Sequence, residues 1–398
     1  MKILHVTPYY EPDFHHGGVV RSISILCREL VKLGHEVTVY TSQDSRSPVK
    51  RALGVPCDVG GVRVVYFKNS LGGFGFGWDM LRAAKNVPDF DVVHVAAFWQ
   101  LFGVPVFLRA LQASVPSVMS PRGSLVMVRD SSLGTLKYRL FFNLVNRHLM
   151  NRADAIHFTA ELERLDARSL GLEIPSFCVP NAVPVEEFRS LPERSEARRG
   201  LGIDERIPVV AFVGRLDRRK ALDILVRAFA RVSGRASEAV LVLAGPDYGE
   251  MAMLKTLSRS LNIEGRVIFL GLVDAQKRAE VFASADLVTL TSLAENFGNA
   301  GAEAISAGVP VLISDQCGVA DGVEEAGVGR VIPVDEDIMA DVLNEMLGDE
   351  SSLRQMASRG PAFAESRYAA GEVAGKLAQA YQDLVSGSRT VSCRWSDG

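Results

Sequence analysis

The chain has 398 residues, 47% of them apolar and 23% charged, with a formal net charge of −3. That length exceeds one average hydrophobic core and suggests two or three domains, and the composition is that of a folded protein rather than a disordered one. The near-neutral charge gives no global field favouring nucleic acid or an anionic membrane, so any such contact needs a local patch.

The chain opens Met1-Lys2-Ile3-Leu4-His5-Val6, which lacks the basic region and long apolar core of a signal peptide. A strand is expected at residues 3–6, a loop at 9–18 and a helix at 19–33. Val19, Ile23, Leu26, Leu30 and Leu33 fall at helical spacing, and Gly34 stands where a helix C-terminus favours glycine. Further strands are expected at 35–40, 62–67, 92–96, 117–120 and 155–158, with helical patterns between several of them. A Pro-bearing, Arg/Glu-rich stretch then interrupts the theme. It restarts with a strand at 209–213 and a helix at 222–232, followed by strands at 240–244, 267–270, 287–290, 309–314 and 331–334. Helical patterns fill 338–381, and the Ser/Arg-rich tail is expected to fray.

Alternating strand and helix implies parallel sheets covered on both faces. The expected organisation is a first α/β unit at 1–185, a linker at 186–205, a second unit at 206–365, a helix at 366–385 crossing back to the first unit, and a tail at 386–398. No run approaches the ~20 apolar residues of a membrane span. The cysteines Cys27, Cys57, Cys178, Cys317 and Cys393 are odd in number and lack metal or redox spacing. They read as incidental thiols of a reducing, cytoplasmic compartment.

In open parallel sheets, ligands bind at the carboxyl ends of strands, so loops directly after strands carry the candidate chemistry. Arg215, Arg218, Arg219 and Lys220 cluster between the strand at 209–213 and the next helix. Free backbone amides, a helix dipole and cations together suit a phosphate, although a solvated basic loop would look the same. In Glu295-Asn296-Phe297-Gly298-Asn299-Ala300-Gly301-Ala302-Glu303, Glu295 lies in a post-strand loop and Glu303 about one turn into a helix. Two glutamates eight apart mean little alone. In this setting they can accept hydrogen bonds from sugar hydroxyls, while the amides of 297–299 can hold phosphate. A capping acid beside a solvated one is the plainer alternative.

His15-His16-Gly17-Gly18 is not a dinucleotide fingerprint and has no metal-ligand partner at suitable spacing, so a glycine turn against phosphate or a plain turn remain. His94 lies toward the end of the strand expected at 92–96, and Arg122 follows the strand expected at 117–120. Arg122 is a candidate ligand for an anion or hydroxyl, and His94 reads first as a packed strand-end residue. Asp335-Glu336-Asp337 reads as a helix cap rather than a metal–nucleotide site. Residues 136–152 mix Lys137, Arg139, Arg147 and Arg152 with Phe141, Phe142, Leu144 and Leu149. Covering the sheet is the first reading, and a peripheral contact with the inner face of the membrane is the second.

The set of motifs resembles retaining glycosyltransferases of family 4, which have the GT-B fold. The resemblance is carried by Gly17-Gly18, Val213-Gly214-Arg215-Leu216-Asp217-x-x-Lys220, the 295–303 stretch, Phe269-Leu270-Gly271, Ala285-Asp286 and Ala307-Gly308-Val309-Pro310-Val311, in order over nearly the whole chain. It implies two Rossmann-like domains facing each other across a cleft, the first on the acceptor side and the second binding the nucleotide-sugar. Arg215 and Lys220 would hold the donor diphosphate, Glu303 the ribose and Glu295 the transferred sugar, making Arg215, Lys220 and Glu295 the catalytic set. Gly17 and Gly18 would approach the phosphates, Val273 would lie near the base, and Phe297, Gly298 and Asn299 would line the donor site.

No cofactor or catalytic metal is implied. The donor would be a GDP- or UDP-sugar, the acceptor a glycan or lipid-linked oligosaccharide of cell-surface polysaccharide synthesis, and nucleic acid no partner. Many members carry a histidine in the loop after the strand leading to Ser120, where this chain has none. Arg122 or His94 is expected to take over its contact. A nucleotide-sugar epimerase of the same fold and a non-catalytic nucleotide-sugar-binding protein stand as alternatives.

Overall fold

The structure is a computed structural model of the chain and describes residues 1–44, 47, 49–68, 78–96, 101–129 and 136–387. The chain divides into two compact units. Unit 1 is Met1–Ala182 with Ala370–Gly398, and unit 2 is Val183–Ala369.

Unit 1 contains β1 (Lys2–Thr7), β2 (Glu36–Gln43), β3 (Pro56–Val59), β4 (Val62–Lys68), β5 (Val92–Ala96), β6 (Ser117–Ser120), β7 (Ala155–Phe158) and β8 (Ser176–Cys178). They form one sheet in the order β3-β4-β2-β1-β5-β6-β7-β8. All pairings are parallel except β3 with β4. Every residue of β5, β6 and β7 is buried, as parallel strands covered on both faces require. One face is covered by Ile23, Leu26 and Leu30 of the helix Gly18–Lys32 together with Val373, Leu377 and Tyr381 of the helix Ala370–Val385. The other is covered by Phe102, Val106, Phe107 and Phe142.

β3 and β8 were not expected from sequence. β3 is a short edge strand begun by a proline, and β8 is three residues between Pro175 and Pro180. Neither has an apolar run long enough to show a period.

Unit 2 contains β9 (Val209–Val213), β10 (Val240–Ala244), β11 (Val267–Gly271), β12 (Leu287–Leu290), β13 (Val311–Ser314) and β14 (Gly329–Ile332). The order is β11-β10-β9-β12-β13-β14, parallel throughout. Strand order reverses between β9 and β12, so the loops leaving these two strands open the crevice in which such sheets bind ligands. β14 begins two residues earlier than the sequence suggests. Only glycine fits at 329, where a Cβ would come within 2.3 Å of the Val311 carbonyl oxygen, and Pro333 ends the strand because it has no N–H to donate.

Residues 186–205, expected as a linker, belong to unit 2. Phe188, Ala197 and Ile203 are buried in its core, and Arg198 is enclosed, donating to the carbonyls of Ser284 (3.0 Å) and Ile207 (2.9 Å) and to Asp286 (2.7 Å). The charged composition that suggested a linker reflects one buried arginine and several exposed ones.

Candidate active site

At the end of β9 the chain turns through Gly214 into the cationic loop. The Asp217 carboxylate accepts from the Arg219 amide (3.0 Å) and caps the short turn Arg218–Lys220. It also lies 3.6 Å from Arg215 and 3.7 Å from Arg219, so one acid gathers two cations. The Arg215 guanidinium rests over the Tyr248 ring at 5.2 Å, a cation–π contact that orients it. Gly245 ends β10 against this turn. A Cβ there would lie 1.8 Å from the Gly214 carbonyl oxygen, so no other residue allows this approach.

The loop after β12 is tied to the loop after β9. Thr291 Oγ1 donates to the Lys220 carbonyl (2.9 Å) and the Leu293 amide to the Arg219 carbonyl (2.8 Å). Lys220 Nζ then pairs with the Glu295 carboxylate, both side chains being mostly buried. The loop after β13 braces Glu295 from the other side, through the Glu295 amide on the Gln316 carbonyl (2.9 Å) and the Gly318 amide on the Glu295 carbonyl (3.2 Å). Lys220 and Glu295 are 75 positions apart, and three strand ends bring them together.

Phe297 is buried, edge-on to Tyr368 at 5.7 Å. Its side chain anchors the loop and leaves only its backbone to a ligand. Gly298 follows at φ +94°, capping the helix Asn299–Ser306, and a Cβ there would press on Leu290 and Val319 at 3.0–3.1 Å. Glycine is required both by the left-handed backbone and by the space. Gly360 lets a neighbouring helix touch this one, since a Cβ at 360 would be 2.6 Å from the Ile305 carbonyl oxygen. Glu303, on the same helix, is only 6% exposed, and its carboxylate is held by Arg278. Val273 lies half-buried two residues beyond β11. Unit 2 thus brings together Arg215, Lys220, Glu295 and the Gly298 helix cap at the switch point of its sheet. Asp217, present in the motif without an assigned role, and Tyr248 support Arg215, and Arg278 supports Glu303; Tyr248 and Arg278 were not singled out by sequence.

Unit 1 holds the remaining candidates. Gly17, at φ +96°, caps the helix that Gly18 begins, and the neighbouring His16 pairs with Asp44 at 2.5 Å and stacks on Tyr9. His94 is packed, as its first reading had it, and Arg122 is enclosed rather than offered to an anion or hydroxyl ligand. His94 is fully buried, with Nδ1 2.5 Å from the Tyr381 hydroxyl, so it does not reach a substrate. Arg122 is 8% exposed and donates to Asn181 Oδ1 at 2.8 Å, while Glu163 accepts from the next amide, Gly123, at 2.7 Å. Both belong to a buried polar centre with His5, His157 and Tyr381. His5 Nε2 lies 3.2 Å from the Tyr381 hydroxyl and His157 Nε2 2.7 Å from the Val179 carbonyl. A position within or just after a strand does not reveal what closes over it, and here the helix Ala370–Val385 brings Tyr381 onto His94 and His5.

Asp335 caps the helix Glu336–Gly348, accepting from the amides of Asp337 (2.9 Å) and Ile338 (3.0 Å). Residues 136–152 contribute to covering the sheet, the first of the two readings. Phe142 and Met150 are buried, whereas Leu140 and Leu144 are 57% and 64% exposed. Among the described residues no helix is long and apolar enough to cross a membrane.

Two parallel α/β units, the second with a cationic loop and a glycine-capped helix at its switch point, define a protein of the GT-B class. Residues 193–363 match the family model of glycosyl transferases group 1, and residues 17–182 that of the glycosyl transferase 4-like domain. A D-inositol 3-phosphate glycosyltransferase of Nocardia farcinica is 35% identical over 296 residues, 71% of this chain and 64% of that protein. One from Corynebacterium diphtheriae is 29% identical over 376 residues, 89% of this chain and 87% of that protein. The solved structure of Anabaena HepE with UDP superposes with a TM-score of 0.76 at 21% identity, covering 96% of this chain and all of that chain, a likeness of fold. The chain belongs to the group 1 (family 4) glycosyltransferases.

Proposed function

We propose that the protein transfers a sugar from a UDP- or GDP-sugar to a hydroxyl of a glycan or lipid-linked acceptor, with retention of anomeric configuration, at the cytoplasmic side of cell-surface polysaccharide synthesis. The observation that carries the reading is the junction of Lys220 with Glu295 at the switch point. There a cation suited to the donor diphosphate meets a carboxylate suited to the sugar hydroxyls. As the bond between the anomeric carbon and the phosphate oxygen breaks, positive charge grows on the sugar ring and negative charge on the departing diphosphate. Arg215, Lys220 and the amides at the Gly298 cap stabilise the latter in this reading. The acceptor hydroxyl forms the new bond on the face the diphosphate leaves and gives its proton to a departing phosphate oxygen. Glu295 orients the transferred sugar, Glu303 the ribose, and Val273 lies beside the base. These side chains carry the charge without a metal.

Uridine is the first choice of base, supported by the UDP and UDP-glucose complexes of HepE. The relatives' name offers inositol phosphate as a second acceptor class. The test is nucleotide release from a panel of UDP- and GDP-sugars, with oligosaccharide, lipid-linked or inositol phosphate acceptors and with none. Acceptor-dependent release with a retained product supports the reading. Interconversion of donors without release indicates an epimerase, and binding without turnover indicates a non-catalytic protein.

A further inference from the structure

Arg278 lies in the first turns of the helix Ala275–Ser284, which follows β11 and is capped by Asp274 accepting from the Lys277 amide at 2.8 Å. Its Nη1 stands 3.0 Å from Oε1 and 3.2 Å from Oε2 of Glu303, so one nitrogen is shared almost evenly by both carboxylate oxygens. The guanidinium is backed by the Phe188 ring at 6.0 Å. Phe188 is itself buried and set edge-on to Phe282, of the same helix as Arg278, at 5.8 Å. The arginine is thus positioned by its helix, by an aromatic platform and by the acid it serves.

We propose that Arg278 is a positioning residue for donor recognition. It keeps Glu303 ionised and sets the plane of its carboxylate so that both oxygens accept from the vicinal hydroxyls of the donor ribose. The proposal rests on the assignment of Glu303 to the ribose made above. A carboxylate this buried is costly without a cation and escapes the cost by taking up a proton. A protonated carboxyl donates from one oxygen and no longer offers two equivalent acceptors to a diol. Arginine does not give up its proton at working pH, so the charge on Glu303 is fixed by a partner that does not titrate. The helix after β11 thereby extends the donor site beyond the two loops at the switch point.

The experiment compares binding of UDP and GDP with that of 2′-deoxy-UDP and 2′-deoxy-GDP to the full chain by calorimetry. The ratio between ribose and deoxyribose forms is the readout, because a purely structural role would lower both affinities together. The wild type prefers the ribose form of its nucleotide about tenfold or more, as expected for losing a hydrogen bond to a charged group. In Arg278→Met the ratio falls to within about twofold. Arg278→Gln gives an intermediate ratio, and Arg278→Lys restores most of it. An unchanged ratio in Arg278→Met overturns the proposal. Should that variant fail to fold by circular dichroism, an unchanged ratio in Arg278→Gln does so. Glu303→Ala separates the two levels of the argument. If it too keeps the wild-type ratio, the ribose assignment itself fails. If it loses the ratio while the Arg278 variants keep it, only the positioning role fails.

Discussion

Lys220 and Glu295 neutralise each other across two loops, so a donor that engages both must rearrange the pair. Lys220→Ala removes the cation from the developing diphosphate charge and is expected to lower turnover about 10²–10³-fold, comparable to losing one preorganised donor in an oxyanion site. Steady-state nucleotide release measures this, and near-normal turnover would remove Lys220 from the mechanism. Arg215, Lys220 and Glu295 could be chosen as candidates from the sequence because they stand in loops that follow strands, and Glu303 because it lies on the helix that follows one. Arg278 could not, because its partner lies 25 positions away and the two meet only through the order of strands in the sheet. Arg122 was taken for a ligand contact for the converse reason. A residue number after a strand does not show which helix covers it.

At the scale of elements, the helix Ala370–Val385 closes the centre that holds His5, His94 and His157. Tyr381 is its deepest polar contact, with its hydroxyl between His94 and His5. Tyr381→Ala opens a large cavity and should cost about 3–5 kcal/mol of unit 1 stability, by analogy with other buried aromatic truncations. Tyr381→Phe should cost about 1–3 kcal/mol because it leaves a buried ring nitrogen unpaired. Urea unfolding followed by circular dichroism checks both, and equal losses in the two variants would show that volume is irrelevant. Buried strands such as Val92–Ala96 and Val209–Val213 were readable because a parallel strand covered on both faces is nearly continuously apolar, with His94 the one polar residue of the two. β3 and β8 owe their existence to neighbours rather than to their own residues.

For the whole molecule, the buried histidines couple stability to pH. Burial, aided by the charge of Arg122, pushes His5 and His157 down to about 3, and His94 is lowered well below its usual value by burial and then by His5, His157 and Arg122. The unfolded chain protonates all three near 6.5, whereas the folded chain does not, so their contribution is full above pH 6.5 and is lost as pH falls toward 3. Glu163 opposes this, because burial raises it to about 7 from 4.5 and the folded state keeps a proton that the unfolded state has lost. The balance is two protons between pH 6.5 and 4.5. Stability is expected to fall by about 2–3 kcal/mol per pH unit there, and faster below 4.5. Unfolding free energies measured from pH 7 to pH 4 check the slope, and a flat profile would show the histidines to be solvated.

Val183 and Ala369, the two ends of unit 2, are bridged to one another, with the Val183 amide on the Tyr368 carbonyl at 2.9 Å. Residues 183–369 expressed alone are therefore expected to fold and melt cooperatively, which calorimetry would show. The same bridge sets an order of events during translation. Unit 2 becomes complete in the nascent chain while unit 1 still lacks Val373, Leu377 and Tyr381 from its interior. The part of the protein that starts first is thus finished last. A premature stop codon after residue 369 would spare the later-made unit and leave the earlier one as a substrate for chaperones and proteases.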